Sequence, residues 1–118
     1  MLDTFVSEVG RVVIIGDAAH ASKPNGGQGR SLSLEDAATL AIAIKKANTM
    51  GNFKDAKQIF TRWDCARAKR IESVAEAPMA MGMHMGPEDP FAKEGWTKES
   101  DQLYWLYGYD TENIEAFL

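Results

Sequence analysis

The chain has 118 residues, 45% of them hydrophobic and 25% charged, with a formal charge of −4. Those totals suit one ordinary folded domain and exclude a disordered chain. An acidic balance also argues against a nucleic-acid-binding surface, and no apolar run approaches the roughly 18 residues of a membrane span. One cysteine, Cys65, allows no intrachain disulfide. Together with an N-terminus that lacks the pattern of a signal peptide, this leads us to expect a cytoplasmic protein.

Met1 to Glu8 carries no firm signal, and Gly10-Arg11 reads as a turn. Val12-Val13-Ile14-Ile15 is a β-branched run without alternation, the pattern of a strand buried on both faces in a parallel sheet. Gly16 ends it and Asp17 follows at once. Beyond Pro24 comes the glycine loop Gly26-Gly27-Gln28-Gly29. A helix is expected next, with Ala37, Leu40, Ala41 and Ile44 forming one apolar stripe. Glu35 and Asp36 are read as helix-start charges, Lys45 and Lys46 as helix-end charges, and Asn48 and Gly51 as the stop.

A second helix is expected from about Phe53 to Ala77, ended by Pro78. Ala56, Ile59, Phe60 and Trp63 make its apolar stripe, which Ile71 and Val74 continue. Arg62, Arg67, Lys69 and Arg70 read as a solvated basic face, and Cys65 as a partly buried small residue. Met79 to Lys98 reads as irregular. Short helices are expected over 101–108 and 113–118. Trp63, Trp96 and Trp105 read as core or interface residues.

A strand that feeds a glycine-rich turn and then a helix is the geometry that holds nucleotides at the carboxyl edge of an open α/β sheet. A carboxylate at Asp17 is a strong acceptor for ribose or ribityl hydroxyls. The glycines permit close backbone approach, and the helix that follows directs free N–H groups at whatever occupies the loop. The alternative is that Asp17 caps a turn and the glycines only make a tight connection. Neither G-x-x-x-x-G-K-[ST] nor G-x-G-x-x-G is present. His20 follows the Gly-Asp pair without a nucleophile to serve, and reads as structural. Met79, Met81, Met83 and Met85 beside His84 are a donor set suited to Cu(I), so a Met-rich metal-binding module is a rival reading. Methionine as filler of irregular apolar space is the other account of that segment.

The stretch GRVVIIGDAAHASKPNGGQGRSLSLEDAATLAIAI, residues 10–44, strongly resembles the second flavin-binding motif of FAD-dependent aromatic-ring monooxygenases. That family includes the p-hydroxybenzoate and salicylate hydroxylases. Its pattern appears here in order: Gly16-Asp17-Ala18-Ala19-His20, Pro24, Gly27-Gln28-Gly29, and Glu35-Asp36-Ala37. FTRWDCARAKRIESV is similar to the family's following helix, whose spaced arginines would be Arg67 and Arg70. LYWLYGYD, Leu103 to Asp110, is similar to the ending of salicylate-hydroxylase-like members. Many members carry Asn two residues after the last glycine, where this chain has Ser31, which can still donate a hydrogen bond.

The resemblance implies a cofactor site. Gly16 and Asp17 would meet FAD, with Asp17 on a ribose hydroxyl. Pro24 would lie near the flavin ring. Gly27, Gln28 and Gly29, with the amides of Arg30 and Ser31, would face the pyrimidine side of the isoalloxazine. It implies NAD(P)H and O2 as co-substrates and hydroxylation of an aromatic or related small molecule. It further implies an α/β fragment: the last strand of a Rossmann-like FAD-binding domain followed by a mainly helical C-terminal part. Residues 1–47 would be the strand–loop–helix portion and 48–118 its helical extension. The family's G-x-G-x-x-G turn and most of its substrate pocket have no counterpart here. The chain is therefore expected to be incomplete and to hold FAD poorly or not at all alone, whether as a truncated gene product, a mispredicted gene model, or one part of a split chain whose N-terminal part is a separate partner. A non-catalytic remnant is the alternative.

Overall fold

The computed structural model describes residues 2–21, 29–75 and 109–118. The elements run α1 (Asp17–His20), α2 (Gly29–Ala47), α3 (Phe53–Ala75), and a terminal 3₁₀ helix (Thr111–Phe117). Among the described residues there is no strand. None of their helices is long and apolar enough to cross a membrane.

The Val12–Ile15 run does not form the doubly buried strand expected of it. It folds back on Phe5–Ser7 in one antiparallel bridge, Val6 with Val13. Ser7 N–H donates to the Val12 carbonyl at 2.8 Å and Ile14 N–H to the Phe5 carbonyl at 2.9 Å. The cause is local. Extended backbone must find partners, and the nearest extended segment is the one Gly10 turns back toward it. Gly10 has φ +70°, and a Cβ there would lie 2.8 Å from Lys57 Cγ, so the turn needs glycine. With no sheet on either side, Val12 is left 59% exposed.

α2 starts at Gly29 and ends at Ala47 with Lys45 and Lys46 in its last turn, as expected. Its buried face is not the expected stripe. The covered positions are Leu32, Asp36, Thr39, Ala43 and Ala47, whereas Ala37, Ala41 and Ile44 point outward. Both sets have helical spacing, because this helix is apolar on two sides. α3 covers one of them.

α3 begins where Asn52 caps it. Its side-chain oxygen accepts from Asp55 N–H at 2.9 Å, and its amide donates to the Asp55 carboxylate at 2.8 Å, a reciprocal cap. The buried face runs Ile59, Trp63, Arg67, Arg70, Ile71 and Val74. It packs against α2, with Phe5, Ala19, Ile114 and Leu118 completing the core. Trp63 is wholly buried, and its indole N–H donates to Thr39 Oγ1 at 3.0 Å. The N-terminal segment is tied to α3 through Asp64, which accepts from Phe5 N–H at 2.9 Å and from the Thr4 hydroxyl. Arg62 reaches the chain end, donating to the Leu118 carbonyl at 2.9 Å. Cys65 is exposed rather than partly buried. The expected helix at 113–118 is present as the 3₁₀ helix, capped by the Asp110 side chain on Glu112 N–H at 3.0 Å.

Candidate functional site

Gly16 turns the chain from Ile15 into α1 with φ +64°. Only four residues long, α1 carries Asp17 at its first position and His20 at its last. Ala19 and His20 N–H groups both donate to the Gly16 carbonyl, at 2.9 and 3.0 Å. Asp17 is exposed at the start of this turn. A Cβ on Gly16 would stand 3.1 Å from Ser33 Oγ, so the turn lies directly against the first turns of α2. Ser33 itself donates back to the Gly29 carbonyl at 2.8 Å. Gly16 and Asp17 are thus brought beside the helix start that holds Gly29, Arg30 and Ser31. Pro24, Gly27 and Gln28 lie outside the described residues, as do the Met79–Met85 segment with His84, and Trp96 and Trp105.

Behind the turn is a buried charge network. Asp36, 1% exposed, accepts from Gly16 N–H at 2.9 Å on Oδ2. The same oxygen meets His20 Nε2 at 2.5 Å. Since a carboxylate only accepts, that ring nitrogen carries the hydrogen. Arg67 Nε donates to Asp36 Oδ1 at 2.8 Å, its NH1 to Glu35 Oε2 at 3.0 Å, and its NH2 to the Leu32 carbonyl at 3.3 Å. Arg70 donates through Nε and NH2 to the two Glu35 oxygens, at 3.2 and 2.9 Å. Tyr109 closes the outside, its ring centroid 4.4 Å from the Arg70 guanidinium carbon and 5.6 Å from that of Arg67. Two carboxylates therefore meet two guanidinium groups, and each charge is hydrogen-bonded. That is the condition under which buried charge is tolerated. Burial works against the charge on Arg67. The Asp36 charge and the hydrogen bonds to Glu35 and Asp36 outweigh it, so its pKa is raised.

These residues correct two expectations and bear out a third. Glu35 and Asp36 lie two turns into α2 and are ion-pair partners, not helix-start charges. Arg67 and Arg70 are buried and paired, not solvated; only Arg62 and Lys69 of that cluster are exposed. His20 is structural as expected, and its partner is Asp36. The signal was available. The stripe 56, 59, 60, 63 continues at 67, 70, 71 and 74, which puts both arginines on the buried face. Elsewhere, α3 and the terminal 3₁₀ helix border an open groove of about 400 Å³ lined partly by Cys65, Lys69, Tyr109 and Phe117. It contains none of the candidate cofactor residues.

Residues 6–56 match the family described as "FAD binding domain". The chain is 35% identical over 109 residues to the FAD-dependent monooxygenase nanF of Aspergillus nanangensis, covering 92% of this chain and 23% of that protein. It is 56% identical over 85 residues to the flavin-dependent monooxygenase pboD of Aspergillus ustus, covering 71% of this chain and 16% of the relative. To the 6-hydroxynicotinate 3-monooxygenase of Pseudomonas fluorescens it is 27% identical over 105 residues, 89% of this chain and 23% of the relative. No solved structure matches the chain. It thus spans between 16% and 23% of the length of these three relatives. Residues 6–56 match an FAD-binding domain, and the chain is similar to part of FAD-dependent monooxygenases.

Proposed function

We propose that the chain supplies one FAD-contacting edge of a flavin-dependent monooxygenase that hydroxylates an aromatic or related small molecule with NAD(P)H and O2. The observation that carries this is the close approach of Gly16, which precedes Asp17, to Ser33, one turn into α2. It puts an exposed carboxylate beside a helix start, an arrangement that fits a ribose hydroxyl next to an electron-rich ring. In this reading Asp17 accepts from a ribose hydroxyl and Gly16 keeps the approach clear of a Cβ. Pro24 borders the ring, and the backbone of Gly27, Gln28 and Gly29 with the Arg30 and Ser31 amides meets its pyrimidine edge. FAD, when bound, supplies the redox chemistry. The chain supplies binding and orientation.

Two features support an incomplete cofactor site in this segment. Leu34 is 67% and Ile44 44% exposed on the outer side of α2, in line with Ala37 and Ala41. A helix apolar on both sides belongs between two layers. The Val12–Ile15 run likewise has the composition of an inner strand and no sheet to join. In the whole protein we place 12–15 in a Rossmann-like sheet, residues 1–47 in the FAD-binding domain, and 48–118 as its helical extension. The sheet and the pyrophosphate-binding turn come from a preceding chain portion. The single cysteine fits a reducing compartment such as the cytoplasm.

The test is FAD titration followed by flavin fluorescence, with the purified chain alone and mixed with the N-terminal portion of pboD. Saturable binding that Asp17→Ala weakens about tenfold, at unchanged circular dichroism, is the expected result. Absence of binding in both arms would overturn the reading.

A further inference from the structure

We propose that Asp36 is the positioning residue of the FAD edge: it fastens both ends of the turn that carries Asp17 to α2. The inference rests on the FAD-binding reading above. One oxygen, Asp36 Oδ2, accepts from Gly16 N–H immediately before α1 and from His20 Nε2 at its last residue. A four-residue helix has too few internal bonds to persist alone, and α1 has no side-chain cap. Its geometry is therefore imposed from outside, and Asp36 does so from 1% exposure.

The other oxygen sets the aim. Oδ1 receives Arg67 Nε at 2.8 Å, which fixes the carboxylate plane and leaves Oδ2 facing the turn. Asp36 lies about 10 Å along α2 from Gly29, at 1.5 Å per residue. The carboxylate of Asp17 and the amides at the start of α2 are thereby referred to one rigid helix. A cofactor that touches both requires that register, since small misplacement of positioned groups is costly. Asp36 touches no cofactor in this account. It acts through Gly16 and His20.

Three donors converge on two oxygens, which makes the isosteric change informative. Asp36→Asn keeps the volume but turns one acceptor into an N–H donor facing another donor. A packing role would survive that substitution and an anchoring role would not.

The experiment is amide hydrogen exchange by NMR on the full chain, with FAD titration in parallel. In Asp36→Asn, Gly16 N–H is expected to exchange at least about tenfold faster relative to core amides of α3, and FAD to bind about tenfold more weakly. Ile71→Ala, which lowers stability from the core, should leave the Gly16 amide shift and its relative protection unchanged. Should Asp36→Asn not fold, the wild-type chain still decides: a through-hydrogen-bond coupling from Gly16 nitrogen to the Asp36 carboxyl carbon is expected. Gly16 exchange and FAD affinity unchanged in Asp36→Asn, or no such coupling in the wild type, would overturn the proposal. If the wild type binds no FAD, either alone or mixed with the N-terminal portion of pboD, while Gly16 responds to Asp36→Asn, the anchoring of the turn stands and the FAD reading falls.

Discussion

Arg67→Ala tests the buried network most directly. Arg67 is fully buried, and its guanidinium makes three hydrogen bonds, to Asp36, Glu35 and the Leu32 carbonyl. Removing one partner of a buried ion pair typically costs about 3–5 kcal/mol, because the remaining charge is left uncompensated. Here the remaining charges keep some company. Asp36 retains Gly16 N–H and His20, and Glu35 retains Arg70. The lower end, about 3 kcal/mol, is therefore expected, a large share of the roughly 5–15 kcal/mol that holds a domain together. At about 4 °C per kcal/mol for a chain of this size, Tm should fall by roughly 12 °C. Urea unfolding followed by circular dichroism measures the loss, with Lys69→Ala, an exposed neighbour, as the unaffected control. The sign with pH also follows. A raised pKa means the contribution is complete below the unfolded-state value and is lost only as pH climbs through the still higher folded one. The penalty of Arg67→Ala should thus show no alkaline decline between about pH 7 and about pH 10. A loss below about 1 kcal/mol, the range of exposed ion pairs, would refute the buried network.

Gly16→Ala forces a side chain onto φ +64° within 3.1 Å of Ser33 Oγ and should cost about 1–2 kcal/mol by thermal melting, with weaker FAD binding. Asn52→Ala removes the cap of α3 and should cost about 1 kcal/mol while leaving FAD affinity unchanged. Ile44→Lys, on the open side of α2, should change the chain's own urea midpoint by less than about 0.5 kcal/mol. The same change should abolish recovery of FAD binding when the chain is mixed with the N-terminal portion of pboD.

What the sequence disclosed depended on how far each signal reached. Helix ends were legible because they are local: Gly29, the paired lysines and the stop at Asn48 and Gly51 act within about one turn of themselves, whereas the Asn52 cap of α3 was not among the signals read. The turn at Gly10 and the break at Gly16 were legible for the same reason, since both positions hold backbone that only glycine adopts readily. The partners of Arg67 and Arg70 were not. Charge alone placed them in water, and only the continuation of the stripe through 67 and 70 placed them inside. Burial is decided by what packs on a face, and Glu35 and Asp36 are more than 30 positions away in the chain. Asp36 was masked by a sufficient local explanation, an acid near a helix start. The competing explanation required knowing that the Gly16 turn returns to the third turn of α2.

α2 shows why a pattern correctly detected can still be assigned to the wrong surface. Ala37, Leu40, Ala41 and Ile44 have the spacing of a core stripe, yet α3 packs against Leu32, Asp36, Thr39 and Ala43. Periodicity identifies an apolar face without saying which neighbour covers it. Two polar side chains settled the choice between the two faces. Thr39 accepts the Trp63 indole and Asp36 accepts Arg67, and neither bond forms if the helix is turned to bury Ala41 and Ile44 against α3. The specific hydrogen bonds fix the orientation, and the second stripe is left for the layer that the relatives' longer chains have the length to provide.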